Sequence, residues 1–416
     1  MKKLLSLALA LLLLAVMLPV TALADTAAPS WVGDVNFEGA QTVYYYSTYG
    51  GAPYVKTATD GELSSHPAVI AYKTGSGNEI AYAADIRAAL VNKAIEIYCK
   101  AGSTISTVNA HANVLNDVTI YGNNANFQGG DLSIYADGKN YAAPESLNVT
   151  INIYNAKNLV VWGEPQAVGR TWNVNFYDCV NDGYNFFMYR GGSDKTDKAN
   201  LTMINCKATG YEDSTVHTTA DGSIVIKNCE FSNNCAPVNI AHKQTGTMTA
   251  SVENCTFNSC GSTNTANDLN LYAAPVRFVN NSKEGTLKVT LTNNTFTGTV
   301  GNNGDILLGD QRNGKSTFDV NAEIVTKQDV TVKSGNSENQ STFEVKANTS
   351  VKANAAGKQP EVIRDNAPII IYTPTGDTPK TDDQKNPTTG ANDLVAVAVA
   401  AAALALAGSA IILRKD

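Results

Sequence analysis

The sequence predicts an all-β solenoid in which successive coils add parallel strands to long sheets. A short phrase recurs along the chain: an alternating apolar strand, an Asn or Asp, a small residue and a second apolar pair. Its polar member recurs at intervals of 23, 27, 23, 26 and 39 residues, at Asn155, Asp178, Asn205, Asn228, Asn254 and Asn293. Spacings in the twenties are typical of repeat architectures. The repeats alternate as strands do and show no helical period, so neighbouring repeats must stack to share a core.

This repeat resembles the right-handed parallel β-helix of pectate lyases, polygalacturonases and many surface adhesins, over roughly residues 85–350. The resemblance implies three sheets, with a tight turn between the second and third strands where Asn side chains hydrogen-bond from coil to coil. The six polar residues of the repeat match that ladder, with Asp178 as one substitution. Residues 118–127 also resemble an early coil of the family.

The solenoid is expected to span residues 84–370 and to begin with a capping helix at residues 84–93. Apolar residues recur there at helical spacing behind Asp85. A cap is expected because an open end would expose strand edges and core side chains. Residues 25–83 are predicted to form an irregular or small β extension, and residues 371–385 an extended linker through the wall.

Both ends of the chain carry targeting patterns. Lys2 and Lys3, an apolar run and Ala22-Leu23-Ala24 predict a signal peptide over residues 1–24. Residues 394–413 are uncharged and long enough for a transmembrane helix, and they are followed by basic residues that favour the cytoplasm.

The C-terminal pattern over residues 386–416 resembles the LPxTG-like sorting signal of Gram-positive surface proteins. In that family a sortase cuts between Thr and Gly and links the Thr to peptidoglycan. The matching residues here are Asn386, Pro387, Thr389 and Gly390, with Asn386 in place of the usual Leu, which leaves the sortase class open. The resemblance implies a secreted, wall-anchored protein with sortase and peptidoglycan as partners; a plain membrane anchor is the alternative.

The charge of the expected mature chain argues against nucleic acid as a partner. Removing the ends takes four of 31 cations and two of 38 anions, which leaves 27 against 36 and a net charge of −9. An acidic chain without a basic stripe is a poor ligand for phosphate backbones. The membrane is expected to be contacted only through the C-terminal segment.

The seven cysteines are predicted to be mostly buried thiols. Four of them directly follow the ladder residue of their repeat, at Cys179, Cys206, Cys229 and Cys255. Stacked on successive coils about 4.8 Å apart, they would form an inward-facing row. Parallel Cβ directions disfavour disulfides, although a bridge stays possible. The spacing of paired Cys and His that a zinc site needs is absent from the sequence, so no metal is predicted.

A ligand groove is expected on the outer face of the first strand, because the resembled family binds its substrates there. Alternation in strands such as STVHT and LNLYA predicts which side chains face outward. The predicted outward row contains Thr215, His217, Asn239, Asn270 and Tyr272, together with Tyr189 or Arg190. Tyr rings beside polar groups are typical of glycan-binding surfaces, although an ordinary solvated face is the alternative.

Acidic residues precede these strands and provide candidates for catalysis. An inverting glycosidase needs two carboxyl groups roughly 6.5 to 9.5 Å apart, a scale that adjacent coils can supply. The weak catalytic candidates are Asp182, Glu212, Asp213, Arg190 and His217. The further motifs of polygalacturonases have no match here, and acidic turn residues are ordinary in solvated loops.

The sequence therefore favours a cell-wall-anchored surface protein that binds an extracellular polysaccharide or host glycan, without a cofactor. The alternative is an extracellular hydrolase or lyase acting on acidic plant-type glycans, with calcium possible only for a lyase. A structural wall component is a third hypothesis.

Overall fold

The computed structural model describes residues 28–43, 65–77, 79–106, 112–128, 131–134, 147–261, 273–299, 301, 303–309, 320–325, 330, 332–334, 345–346, 362–363 and 369–370. All of them belong to one compact unit, Met1–Gly376, and the second unit, Asp377–Asp416, contains no described residue. The predicted signal peptide, linker, sorting signal and transmembrane helix lie outside the described residues. Within the described part, no helix combines the length and apolar character needed to span a bilayer.

The strands stack into three long sheets. Sheet I contains β3 (Ile70–Thr74), β4 (Ala81–Ala83), β5 (Ala94–Cys99), β8 (Val118–Tyr121), β11 (Asn148–Tyr154), β13 (Thr171–Tyr177), β16 (Lys198–Ile204), β19 (Gly222–Lys227), β22 (Thr247–Glu253), β25 (Thr286–Thr292), β28 (Val320–Val325), β30 (Val345–Lys346) and β32 (Ile369–Ile370).

Sheet II contains β14 (Val180–Asp182), β17 (Lys207–Thr209), β20 (Glu230–Ser232), β23 (Thr256–Asn258) and β26 (Thr295–Thr297). Isolated bridges through Lys157 link it to the two-stranded pair β6 (Thr104–Ser106) and β9 (Asn126–Gln128). Sheet III contains β7 (Ala112–Asn113), β10 (Asp131–Ser133), β12 (Val160–Gly163), β15 (Phe187–Tyr189), β18 (Ser214–Thr218), β21 (Ala236–His242), β24 (Val276–Asn280), β27 (Ile306–Leu308), β29 (Val332–Ser334) and β31 (Val362–Ile363).

From β5 onward every described pairing within these sheets is parallel, and from β13 to β27 the chain visits sheets I, II and III in turn, coil after coil. This confirms the prediction of an all-β architecture of stacked parallel strands, an arrangement compatible with a β-helix. The core lies between the sheets, because alternation along strands such as β13 turns Trp172, Val174 and Phe176 inward.

The N-terminal end of sheet I is antiparallel, which the sequence did not predict. β4 pairs with β3, and β3 pairs with β5. The helix α1 (Ile86–Val91) lies beside them and contacts β3, β4, β5 and β7. Asp85 caps it by accepting a hydrogen bond from the Ala88 amide at 2.8 Å. A 3₁₀ helix (Ser30–Asp34) and an antiparallel pair, β1 (Gln41–Val43) with β2 (Ser65–Pro67), precede it.

The repeated Asn or Asp follows six sheet I strands, β11, β13, β16, β19, β22 and β25, and forms a left-handed turn after each. All six predicted ladder residues have φ between 51° and 56°. Asn and Asp tolerate this conformation better than other residues with a side chain. In two of the steps the side chains also bond between coils, from Asn205 Nδ2 to Asp178 Oδ1 at 3.1 Å and from Asn228 Nδ2 to Asn205 Oδ1 at 3.4 Å.

All seven cysteines are free and buried, as the repeat position predicted. In the stack that follows the ladder, the amides of Cys206 and Cys229 each lie 3.4 Å from the Sγ atom of the next cysteine. Burial is the largest cause that raises the pKa of the Cys206 and Cys255 thiols. Cys206 and Cys255 therefore serve as small apolar core residues rather than nucleophiles.

Candidate functional site

A groove of about 650 Å³ runs along the outer face of sheet III. Its lining comes from four consecutive coils and consists of Met188, Arg190, Gly191, Gly192, Ser193, Asp213, Ser214, His217, Thr219, Asn239, Ala241, Lys243, Arg277 and Asn281. The lining is mainly polar and includes three residues with permanent positive charge.

The register of the parallel strands sets the floor of the groove. Met188 pairs with His217, His217 with Asn239, and Asn239 with Arg277. The side chains of a strand alternate between its two faces. Each of these four residues therefore faces outward, while strand neighbours such as Phe187, Val216 and Phe278 enter the core.

The structure brings two residues of the predicted outward row into the groove lining and leaves two others out of it. His217 and Asn239 line the groove as expected. Tyr189 faces the opposite way and is fully buried in the core, because Met188 takes the outward position in β15. Thr215 is two residues from His217 in β18 but is fully buried and does not line the groove. Arg190, the predicted alternative to Tyr189, does line it.

Arg277 is the main groove residue that the sequence prediction missed. The prediction placed the fourth strand at residues 269–273 and so selected Asn270 and Tyr272, both of which lie outside the described residues. The strand that pairs with β21 is β24, four residues later than Tyr272, and it puts Arg277 beside Asn239. Both segments alternate apolar residues, so alternation alone does not choose between them.

A directed chain of hydrogen bonds crosses the floor between coils. Arg277 Nη1 donates to Asn239 Oδ1 at 2.6 Å, and Asn239 Nδ2 donates to Ser214 Oγ at 2.8 Å. Ser214 Oγ donates in turn to Asp213 Oδ1 at 3.1 Å. Arg277, Asn239 and Ser214 are each about 2% exposed, so these bonds hold the floor in one arrangement.

Burial and the nearby cations of the groove keep His217 neutral. Burial lowers the pKa of His217 to about 3, and the positive charges of Arg277, Arg190 and Lys243 contribute in that order. His217 Nδ1 is buried without a hydrogen-bond partner among the described residues. At neutral pH the imidazole therefore offers polar contacts without adding charge.

A glycine-containing turn after β15 forms the side of the groove where the sheet III strands end. Thr219 Oγ1 accepts a hydrogen bond from the Gly191 amide at 2.8 Å and donates to the Gly191 carbonyl at 3.2 Å. This reciprocal pair ties the turn to the next coil. It places Arg190 and residues 191–193 over the groove.

The structure brings three of the five catalytic candidates into the groove: Asp213, Arg190 and His217. Asp182 ends β14 in sheet II and is exposed, and Glu212 is exposed as well; neither lines the groove. The groove lining therefore contains one carboxylate where an inverting glycosidase needs two. Among the described residues, no group of three or more His, Cys, Asp or Glu side chains is placed to hold a metal ion.

Comparisons with protein-family models, with curated proteins and with solved structures find no match for this chain.

Proposed function

We propose that the protein is a wall-anchored surface protein of the right-handed parallel β-helix type, and that its sheet III groove binds an acidic extracellular glycan. The single observation that carries the proposal is the groove itself, where three cations surround a fixed row of amide, hydroxyl and imidazole groups. In the same proposal, α1 covers the first coil of the solenoid.

The charges of the groove favour an anionic ligand over a neutral one. Arg190, Lys243 and Arg277 oppose a single acid, Asp213, although the mature chain as a whole is acidic. Arg and Lys bind carboxylates and sulfates through charge-assisted hydrogen bonds, which are the stronger class. Hydroxyl groups of a sugar can be bound by Asn239, Ser214 and His217.

The test removes two groove cations that are not part of the hydrogen-bonded floor. Arg190→Gln combined with Lys243→Gln should weaken binding of the full-length protein to polygalacturonate or heparosan by about 10-fold or more, equivalent to about 1.4 kcal/mol. Binding is measured by titration of immobilised glycan, with dextran as the neutral polymer.

The matched control is Lys157→Gln with Lys288→Gln. It removes the same charge from exposed positions outside the groove, and it should bind like the wild type. Equal losses in both double variants would show that net charge alone, and not the groove, attracts the glycan.

A polysaccharide hydrolase or lyase is the second candidate, favoured by the convergence of Asp213, Arg190 and His217 in one groove. It predicts new reducing or unsaturated ends when an acidic polysaccharide is incubated with the protein. Binding without new ends supports the first proposal, since the second carboxylate of a hydrolase is missing from the groove lining.

A further inference from the structure

The two long sides of the groove carry opposite charge. Asp213 and Ser214 lie at the start of β18, whereas Arg190 and Lys243 directly follow the ends of β15 and β21. Parallel strands in register place all their starts at one side of a sheet and all their ends at the other. The groove therefore has an acidic side and a basic side, separated by the floor of Met188, His217, Asn239 and Arg277. Within that floor the Arg277 guanidinium donates to Asn239.

Asp213 is held in place but is not neutralised within the protein. Its Oδ1 atom accepts hydrogen bonds from the Ser214 amide at 2.7 Å and from Ser214 Oγ at 3.1 Å. Among the ion pairs of the described residues, none includes Asp213. A carboxylate accepts through both oxygens, so Oδ2 retains acceptor capacity toward the groove.

This acid is unexpected in a site that binds only anions. A carboxylate repels an anionic ligand, and an Asn at position 213 could still accept from Ser214 without that repulsion.

We infer that the groove recognises a glycan that carries both acidic groups and free amino groups, with the ammonium bound by Asp213 and the carboxylate or sulfate bound by Arg190 and Lys243. This inference rests on the proposed glycan-binding function and specifies the chemical class of its ligand. The two-sided arrangement of charge distinguishes such a ligand from a purely acidic polymer.

The test compares two polymers with the same backbone. Heparosan alternates glucuronate with N-acetylglucosamine, and its N-deacetylated form exposes the amine. The full-length protein should bind the N-deacetylated polymer at least about 10-fold more tightly at neutral pH, because an ammonium–carboxylate bond is charge-assisted. The expected mature chain is itself acidic, so N-deacetylation also reduces the general repulsion between polymer and protein. The preference is therefore assigned to the groove only if Asp213→Asn removes it.

Asp213→Asn should abolish the preference and should bind heparosan more tightly than the wild type does, because a repulsive charge is gone. Glu212→Gln is the matched control. It removes the neighbouring exposed acid, which does not line the groove, and the preference should remain. Circular dichroism and thermal unfolding establish that both variants are folded.

The possible outcomes distinguish a failure of this inference from a failure of the proposed function. If both polymers bind equally and both need Arg190 and Lys243, the inference is wrong and the proposed function stands. If neither polymer binds, both are wrong. A preference that survives in Asp213→Asn would also overturn the inference, since the amine would then be recognised elsewhere.

Discussion

His217 is a polar but uncharged residue in a groove whose lining includes four charged residues. Arg190, Lys243 and Arg277 line the groove around it, and Asp213 supplies the one acid of the lining. Burial and the three cations lower the pKa of His217 to about 3. In the unfolded chain the imidazole takes up a proton near pH 6.5. The folded state therefore binds fewer protons than the unfolded state between about pH 6.5 and pH 3.

This difference predicts a pH dependence of stability. The free energy of unfolding should fall as the pH is lowered from 6.5 toward 3, because protons favour the unfolded state in that window. His217→Gln should lose less free energy over the same range, since glutamine does not titrate. Urea unfolding of both proteins at pH 7 and pH 4 measures the difference; parallel losses would mean that His217 is protonated in the fold.

At the residue scale, alternation predicted His217 and Asn239 and failed for Tyr189. The failure has a physical cause, because a two-residue period fixes which residues share a face but not which face is inward. In β15, Phe187 and Tyr189 are both bulky and apolar enough for the core, and Met188 is the outward residue. The position of the ladder Asn does not predict which residues of β15 face inward, because the turn between sheets II and III varies in length.

At the element scale, the turns between sheets I and II are better determined by sequence than the sheet III strands. A turn with positive φ favours Asn, Asp or Gly, so its residue type is visible in the sequence. The fourth groove strand has no such marker. The sequence prediction placed it at residues 269–273, whereas β24 begins at Val276.

Substitutions at Asn205 can separate two contributions to the free energy of unfolding: its left-handed backbone conformation and its side-chain hydrogen bonds. Its φ is 56°, and its exposed side chain bonds to Asp178 and Asn228. Asn205→Val should lower the free energy of unfolding by about 2–3 kcal/mol, because a β-branched residue is strained in the left-handed region. Asn205→Gly keeps that conformation and should cost about 1 kcal/mol, through lost hydrogen bonds and the greater backbone entropy of the unfolded chain.

Chemical denaturation followed by circular dichroism distinguishes the two variants. Equal costs for Val and Gly would indicate that the side-chain bonds, and not the left-handed turn, make Asn205 important.

At the scale of the whole molecule, identical residues stack at equivalent positions of successive coils. Tyr121, Tyr154 and Tyr177 stack on the outside of sheet I with ring centroids 5.6 and 4.8 Å apart. Phe231, Phe257 and Phe296 stack inside the core with centroids 5.1 Å apart. Each coil is stabilised mainly by its neighbours, so the molecule can grow by repetition while one face, sheet III, diverges to form the groove.

The sorting-signal hypothesis would hold the solenoid at the cell surface, within reach of extracellular glycans. Residues 371–385 would extend to about 50 Å at most, at about 3.3–3.6 Å per residue, and would carry the solenoid away from its attachment point. Thr389→Ala removes the residue that would be linked to peptidoglycan. We expect this variant to leave the wall fraction and to appear in the membrane or the medium.

The matched control is Thr388→Ala, which changes the neighbouring Thr and should leave wall attachment intact. Cells are fractionated with a muralytic enzyme, which releases wall-linked protein, and with detergent, which extracts protein held only by a membrane helix. Wild-type protein should need the muralytic enzyme because its link to peptidoglycan is covalent. If detergent alone extracts the wild type as completely as Thr389→Ala, the chain has a plain membrane anchor and the sortase hypothesis is wrong.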